Sequence, residues 1–284
     1  MKTLTLLVVA PLAVLSAQSP DLSARIAAHK PPLVPGDPEL VIYFSGSYRL
    51  LGYVYKPVGS GPFPAIIWNH GSERVPGSQP ELAQFYTNHG FVFFIPHRHG
   101  HGKSSGEYIS DVFAAYTRTH PNPIDQNREA VRLHELYNND VISAASWLKF
   151  QPYVSPQKIV MSGVSYGGIQ TLLSAEKVTG VKGYIAFAPG AMSWANGELR
   201  KRLQQSVKDA RAPLFLVQAK NDYSTGPVEL LGPQILKRGA PNQAKLYPAF
   251  GTTHDQGHYA FATWDIGTEV WGADVLSFIS NVLK

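Results

Sequence analysis

The most reactive arrangement in the sequence is Gly-Val-Ser-Tyr-Gly at 163–167, which lies between an apolar run, 159–162, and a helix-forming stretch, 169–177. Glycines two residues before and after a serine are needed where a chain turns sharply from strand to helix, because side chains would collide there. Such a turn holds the Ser165 hydroxyl away from the backbone. It leaves the Tyr166 N–H at a helix N-terminus, where an oxyanion would form. The segment predicts that Ser165 is a nucleophile.

An acid and two histidines follow later strand-like runs. Asp222 lies just beyond the apolar run 213–219, where an acid that orients a histidine is expected, and turn formation or capping is its alternative role. His254 and His258 both follow the last predicted strand, 245–250. The chain order Ser, Asp, His is that of one group of catalytic triads, and three positions falling in this order by accident is much less probable than any one alone.

The intervening pattern alternates strands and helices. Two short β-rich runs, 40–44 and 49–56, predict antiparallel strands joined by a turn at 45–47. Continuous apolar runs typical of strands buried on both faces of a parallel sheet follow at 64–68, 91–96, 158–162, 183–188 and 213–219. Apolar residues at helical spacing predict helices over about 127–150 and 270–283.

These elements indicate a mostly parallel, doubly wound α/β sheet with antiparallel N-terminal strands, in which functional groups collect at the carboxyl ends of the strands. We expect one catalytic domain over 39–284, because α/β folds of this length often remain undivided. Residues 18–38, rich in Pro, Ala and Ser, predict an irregular lead-in. The segment 102–126 is interpreted as a small lid near the mouth of the site, with a plain surface loop as the alternative.

Composition indicates a globular protein. The 284 residues are 44% hydrophobic and 16% charged, and the net charge of +5 is spread along the chain without runs of Lys or Arg. Nucleic acid is therefore not an expected partner. The chain has no cysteine, which excludes disulfides, thiolate metal sites and a cysteine nucleophile.

The N-terminus has the pattern of a secretory signal peptide. Met-Lys-Thr at 1–3 precedes an apolar run, 4–15, and small residues at 16 and 17. The run is too short to span a bilayer comfortably, and an N-terminal membrane anchor is the alternative. We expect residues 1–17 to be cleaved, leaving a secreted or periplasmic protein without a membrane span.

Several segments together carry a resemblance to a known superfamily. They are Asn-His-Gly-Ser at 69–72, Arg-His-Gly-His-Gly-Lys-Ser at 98–104, Gly-Val-Ser-Tyr-Gly-Gly at 163–168, Asn-Asp at 221–222 and Gly-His-Tyr-Ala-Phe at 257–261. From about residue 40 onward the chain resembles the α/β-hydrolase superfamily, and within it the dienelactone hydrolase-like group. It is secondarily similar to the catalytic domains of prolyl-oligopeptidase-type and X-prolyl-peptidase-type serine hydrolases. Dienelactone hydrolases proper use a cysteine nucleophile, so Ser165 looks more like an esterase or peptidase variant.

The resemblance implies a catalytic role for three residues. Ser165 would be the nucleophile, His258 the general base and acid, and Asp222 the carboxylate that orients the histidine. His258 is preferred to His254 because the segment 257–261 resembles the Gly-His-x-Phe ending of the group, with one extra residue before the Phe.

The resemblance also implies an oxyanion hole made of backbone groups. The segment 70–72 resembles a His-Gly-x loop, in which the N–H of Ser72 would act beside the N–H of Tyr166. No cofactor is implied. The chain has no room for the propeller of the prolyl-oligopeptidase type, which argues against specificity for large peptides.

His97, His99 and His101 alternate and could bind a metal from an extended segment. The spacing lacks the carboxylate and further histidine of a hydrolytic metal centre, and the position matches the family loop. We expect no metal there.

The sequence thus predicts a secreted serine esterase that acts on small-molecule esters through an acyl-enzyme. A small-peptide or amide hydrolase of the same fold and a non-catalytic binding protein of that fold are the alternatives. The sequence does not indicate an oligomeric state.

Overall fold

One sheet of eight strands carries the fold in the computed structural model, which describes residues 20–31 and 37–284. The strands are β1 (Glu39–Ser45), β2 (Tyr48–Tyr55), β3 (Phe63–Asn69), β4 (Val92–Pro96), β5 (Val154–Val164), β6 (Val181–Phe187), β7 (Leu214–Ala219) and β8 (Gln243–Tyr247). Their order is β1-β2-β4-β3-β5-β6-β7-β8. β2 is antiparallel to β1 and β4, and the other neighbouring pairs are parallel. The predicted α/β sheet with an antiparallel start is confirmed.

Helices connect and cover these strands. They are α1 (Pro20–Ala27), α2 (Pro80–Asn88), α3 (Ile109–Thr119), α4 (Pro123–Lys149), α5 (Tyr166–Lys177), α6 (Gly197–Asp209), α7 (Gly226–Leu236), α8 (Phe261–Thr263) and α9 (Asp265–Val282), with a 3₁₀ turn at Ala191–Ser193 and a π-helical turn at Gln256–Ala260. None of the helices in the described ranges combines the length and apolar character needed to cross a membrane.

The core is divided between the two faces of the sheet. In β3, Ala65 and Ile67 pack with residues of α4 to α7, whereas Ile66 and Trp68 pack with residues of α2 and α9, and all four side chains are fully buried. Alternation of this kind follows from the two-residue side-chain period of a strand. It explains why the central strands read as continuous apolar runs in the sequence.

The structure shows helices in parts of the predicted lead-in and of the predicted lid segment. Part of the expected irregular segment 18–38 forms α1, in which Leu22 and Ile26, four residues apart, pack against the α2 and α9 face. The segment 102–126 contains α3 and the first turn of α4. Residues 1–19, which include the predicted signal peptide, and residues 32–36 lie outside the described residues.

The turn from β5 to α5 packs directly against the end of β3. A Cβ atom added to Gly167 would lie 1.8 Å from the carbonyl oxygen of Asn69, and one added to Gly163 would lie 2.6 Å from the carbonyl oxygen of Gly167. Both contacts are with backbone, which cannot rotate away. The turn can therefore approach β3 only if both positions are glycine.

We predict that Gly167→Ala lowers the free energy of unfolding by at least about 2 kcal/mol, because the elbow and β3 must separate to admit the methyl group. Gly197→Ala is the matched control: a Cβ there meets only the end of the Arg200 side chain, at 3.6 Å, and alanine favours a helix. Urea denaturation of both variants checks the prediction. Equal stability of the two variants would contradict it.

Candidate active site

Ser165 occupies a strained position between β5 and α5. Its backbone has φ 58° and ψ −116°, in a region that a residue with a side chain rarely adopts. Backbone hydrogen bonds hold it there, from Ser165 N to Phe187 O at 3.0 Å and from Gly190 N to Ser165 O at 3.3 Å. Strain of this kind costs about 1–3 kcal/mol and persists where the surroundings enforce it. The sheet therefore fixes the position from which the serine hydroxyl projects.

Asp222 and His258 meet at the carboxyl end of the sheet. Asp222 follows β7, and His258 lies in the π-helical turn beyond β8. The His258 Nδ1–H donates to Asp222 Oδ1 at 2.7 Å, and both side chains are buried. Gln218 Nε2 and the Tyr223 N–H donate to the same carboxylate at 2.9 and 2.6 Å. The carboxylate is thus held in place while it orients the histidine.

His254 takes a different position. Its Nδ1 contacts the carbonyl oxygen of Asn221 at 3.0 Å, and the side chain is exposed. Asn221 also fastens the connection after β8, because its amide donates to Phe250 O and Thr253 O. Of the two histidines that follow the last strand, it is His258 that the structure brings to the acid.

The structure does not join Ser165 to His258 by a hydrogen bond. His258 Nε2 is buried and has no hydrogen-bond partner among the described residues. Catalytic contacts between nucleophile and base are often long without substrate and tighten when it binds. What the geometry provides is a histidine whose far nitrogen is available as a proton acceptor.

The peptide between Gly71 and Ser72 is oriented by a buried arginine. Arg98 donates to the carbonyl oxygens of His70 and Gly71, with Nη–O distances of 3.0 and 2.5 Å. This peptide is trans, so the Ser72 N–H points opposite to the Gly71 carbonyl and away from Arg98. The Tyr108 hydroxyl donates to the carbonyl oxygen of Ser72. The loop backbone is thereby fixed on both sides of Ser72.

Arg98 also contributes to the charge state of the histidines near it. The guanidinium is 1% exposed and lies over the Tyr166 ring, 4.0 Å from its centroid. Burial, and secondly the Arg98 charge, lower the pKa of His101 to about 2 and that of His70 well below its usual range. These rings are neutral hydrogen-bonding groups at physiological pH.

The three alternating histidines each have separate partners. His97 Nε2 contacts Gly77 O at 2.9 Å, His99 Nδ1 contacts Asp140 Oδ2 at 2.6 Å, and His101 Nδ1 contacts His99 O at 3.0 Å. One ring nitrogen of each histidine thus holds the loop after β4, and His101 Nε2 is buried without a partner among the described residues. These contacts do not form a shared metal site.

A different cluster brings ligand atoms close together. His29, Glu81 and Asp265 each offer one atom, and these atoms lie within 4.8 Å of one another. The His29 ring also stacks on Trp264 at a centroid distance of 4.0 Å. The carboxylate oxygens already accept the N–H groups of Asp265 and Ile266 at the start of α9, where the helix dipole disfavours a cation. The cluster therefore has a structural role: it joins the segment after α1 to α2 and α9.

Glu73 places a second carboxyl group beside the site. It directly follows Ser72, and its Oε1 is buried without a hydrogen-bond partner in the described part of the chain. Burial raises the pKa of Glu73, although its own N–H, Arg98 and His258 favour the charged form. Its electrostatic influence therefore reaches both Arg98, which holds the loop at 70–72, and His258.

A cavity of about 390 Å³ opens beside Ser165. Ser72, Ser165 and Tyr166 form one part of its wall, together with Ile109 and Phe113 of α3. The predicted lid segment thus contributes residues to the cavity. The arrangement places a serine hydroxyl and backbone N–H groups next to a mostly apolar space, which suits acyl transfer.

Comparison with known proteins places this architecture in a family. A sequence model of the dienelactone hydrolase family matches residues 50–269. The chain belongs to the dienelactone hydrolase family. The predicted membership is confirmed, and a hydrolase with a small-molecule substrate follows from it at the level of the family.

Relatives of this family member include enzymes with different reported activities. A polyketide transferase, grgF, of a Penicillium species is 26% identical over 226 residues, which are 76% of this chain and 68% of that protein. Esterase Pf2001 of Pyrococcus furiosus has a TM-score of 0.62 at 17% identity, covering 90% of this chain and 100% of that one. Acylaminoacyl peptidase of Pyrococcus horikoshii has a TM-score of 0.63 at 16% identity, covering 87% of this chain. This chain spans 44% of the length of that peptidase.

The sequence did not identify some residues that shape the site in this dienelactone hydrolase family member. Arg98 belongs to the segment 98–104 that carries the family resemblance, but the sequence assigns no role to it. Glu73 directly follows the predicted oxyanion loop. His134 lines the cavity from α4, yet nothing in the spacing of an amphipathic helix distinguishes it. Its position directly after the segment 69–72 is the feature of the sequence that could have indicated Glu73 as a site residue.

We predict that Glu73→Gln is more stable than wild type at about pH 8 and that the difference shrinks towards about pH 4. Because burial raises the pKa of Glu73 in the folded protein, the carboxyl stabilises the fold less as the pH rises through that pKa, and glutamine avoids this loss. Urea denaturation at both pH values measures the difference. Glu107→Gln, which neutralises an exposed carboxylate, is the control. A less stable Glu73→Gln at about pH 8 would contradict the prediction and indicate that the Arg98 charge dominates.

Proposed function

We propose that this protein is a secreted serine hydrolase that cleaves carboxylic esters of small molecules through an acyl-enzyme, with Ser165, His258 and Asp222 as a catalytic triad. The observation that carries the proposal is the 2.7 Å hydrogen bond from His258 Nδ1–H to Asp222. It assigns the ring proton to Nδ1 and leaves the lone pair of Nε2 free. A histidine in this tautomer can take the proton of a serine hydroxyl.

The chemistry then follows in two halves. Ser165 Oγ attacks the ester carbonyl carbon while His258 Nε2 takes the hydroxyl proton, and the carbonyl electrons move onto the oxygen. When the tetrahedral intermediate collapses, His258 returns the proton to the departing alcohol and the acyl group stays on Ser165. Water, deprotonated by His258, attacks the acyl-enzyme; as the acyl–Oγ bond breaks, His258 returns the proton to Ser165 Oγ and the carboxylic acid is released. Asp222 stabilises the imidazolium in both halves.

The oxyanion is proposed to lie between the N–H groups of Tyr166 and Ser72. Both residues line the cavity beside Ser165, and Tyr166 is the first residue of α5, where N–H groups have no partner within the helix. The Arg98 hydrogen bond to Gly71 O polarises the peptide that carries the Ser72 N–H. Preorganised donors of this kind contribute roughly 10²- to 10³-fold each to the rate.

Amide hydrolysis by the same residues is the alternative reaction. A structural neighbour is described as an acylaminoacyl peptidase, and the acyl-enzyme mechanism serves esters and amides alike. The small cavity and the similarity to an esterase over its whole length support the ester. Paired aryl esters and aryl amides of the same acyl group separate the two reactions, because only the leaving group differs.

We predict that Ser165→Ala and His258→Ala each lower kcat for a short-chain aryl ester by at least about 10³-fold, because they remove the nucleophile and the base. Asp222→Asn is expected to lose a similar factor, since it no longer fixes the tautomer. His254→Gln is the matched control and should keep wild-type activity. Hydrolysis is measured at equal protein concentrations with and without a metal chelator.

The outcomes separate the rival functions. Full activity in Ser165→Ala, or loss of wild-type activity with the chelator, would contradict the serine mechanism. Hydrolysis of the aryl amide but not of the ester would favour the amide hydrolase. An inert protein whose Ser165 also fails to react with a serine-directed phosphonate would favour a non-catalytic binding protein.

Export is the remaining part of the proposal. It rests on the apolar run 4–15 and the small residues after it. N-terminal sequencing of protein recovered outside the cytoplasm should begin at residue 17 or 18. Recovery of the whole protein in the cytoplasm with Met1 retained would contradict export.

A further inference from the structure

The wall of the cavity beside Ser165 contains one half-buried imidazole, that of His134, which the proposed mechanism does not use. Apolar side chains form most of its wall: Ile109, Phe113, Ala130, Leu133, Ile169 and Met192. Ser110 and Ser193 are exposed and lie at the rim. His134, by contrast, has a buried Nδ1 and neighbours the buried Leu133 and Tyr166.

The His134 ring has no internal hydrogen-bond partner. Nδ1 is inaccessible to solvent and has no partner in the described ranges, whereas Nε2 is not among the buried unpartnered atoms and is the nitrogen that reaches the cavity. The ring packs edge to face against Tyr166, with centroids 4.7 Å apart at 64°. Buried polar groups without partners are uncommon, because each loses its hydrogen bonds to water without replacement. This loss falls on Nδ1, whereas a substrate in the cavity would hydrogen-bond to Nε2.

The imidazole is neutral and firmly placed. Burial, and secondly the Arg98 charge, lower the pKa of His134 to about 3, so the ring has one donor and one acceptor nitrogen at physiological pH. Gln170 of α5 donates to the His134 carbonyl oxygen at 2.9 Å and accepts from Asn138 at 2.9 Å. These bonds tie the His134 turn of α4 to the helix that begins at the nucleophile.

The cavity lies on the side where the acyl group of a substrate would bind. Its wall includes Ser165 and the proposed oxyanion donors Ser72 and Tyr166, whereas His258 is not among the described residues that line it. In the proposed mechanism the alcohol departs towards His258, which protonates it. The acyl chain must then extend the other way, past the oxyanion donors and along the wall that contains His134.

We infer that His134 is a specificity-determining residue that selects acyl groups bearing a hydroxyl or keto oxygen along the chain over plain alkyl acyl groups. The inference rests on the proposed ester hydrolysis and specifies its substrate class. A neutral imidazole can donate to a keto oxygen or exchange donor and acceptor roles with a hydroxyl. A plain alkyl chain would fill the same space and leave the ring unpartnered.

The test compares an aryl hexanoate with aryl esters of keto- and hydroxyhexanoic acids that carry the extra oxygen at successive chain carbons. We expect wild type to favour the best oxygenated ester by about tenfold in kcat/KM, the value of one hydrogen bond. His134→Phe, which keeps an aromatic wall against Tyr166, should reduce the preference to less than about twofold. Phe113→Leu is the control, because it alters the apolar wall of the cavity. It should change kcat/KM for the plain and the oxygenated ester by the same factor.

The inference is overturned if wild type shows no preference for any oxygenated ester, or if the preference survives in His134→Phe. Hydrolysis of plain esters that depends on Ser165 would still support the proposed function in either case. If wild type hydrolyses no ester, the proposed function is wrong. The role of His134 is then tested by measuring the binding of acids in place of ester hydrolysis. Calorimetry with Ser165→Ala should then show tighter binding of a keto acid than of hexanoate, with a shift of the His134 ring ¹⁵N resonances. Equal affinities or an unmoved ring would overturn the inference.

Discussion

The site depends on a steric constraint at the turn from β5 to α5. Ser165 can project its hydroxyl from a strained backbone only because the elbow presses against the end of β3, where Gly167 leaves no space for a Cβ atom. Hydrogen bonds to Phe187 and Gly190 secure the other side of the turn. Three adjacent strands thus share the strain, and the stability of the sheet maintains the position of the proposed nucleophile.

A buried charge organises the groups around that turn. Arg98 donates to backbone carbonyls of the loop after β3 and lies over the Tyr166 ring. Its charge also helps to keep the neighbouring imidazoles of His70, His101 and His134 neutral. The same residue therefore orients a proposed oxyanion donor and favours uncharged imidazoles around it, of which His134 lines the cavity. An acyl group would meet fixed dipoles there in place of mobile water.

The sequence predicted what depends on local pattern, and it missed what depends on packing. Apolar runs and the glycines at 163 and 167 predicted the sheet and the elbow, because strand burial and the sharp turn each constrain residue type directly. The irregular lead-in was only partly correct, since α1 forms where Ile26 finds a surface on the folded domain. The resemblance favoured His258 over His254, and the structure places His258 beside Asp222. The orientation of His134 into the cavity depends on how α4 packs against α5, which its helical spacing does not reveal.

The proposed function depends on covalent transfer of the acyl group to Ser165. The most direct measurement mixes the protein with a short-chain aryl ester, quenches the reaction in acid within the first turnovers, and determines the intact mass and the modified peptide. We expect a mass increase equal to the acyl group, located on the peptide that contains Ser165 and absent from Ser165→Ala. Rapid turnover with no adduct at any time, or an adduct on another residue, would contradict it.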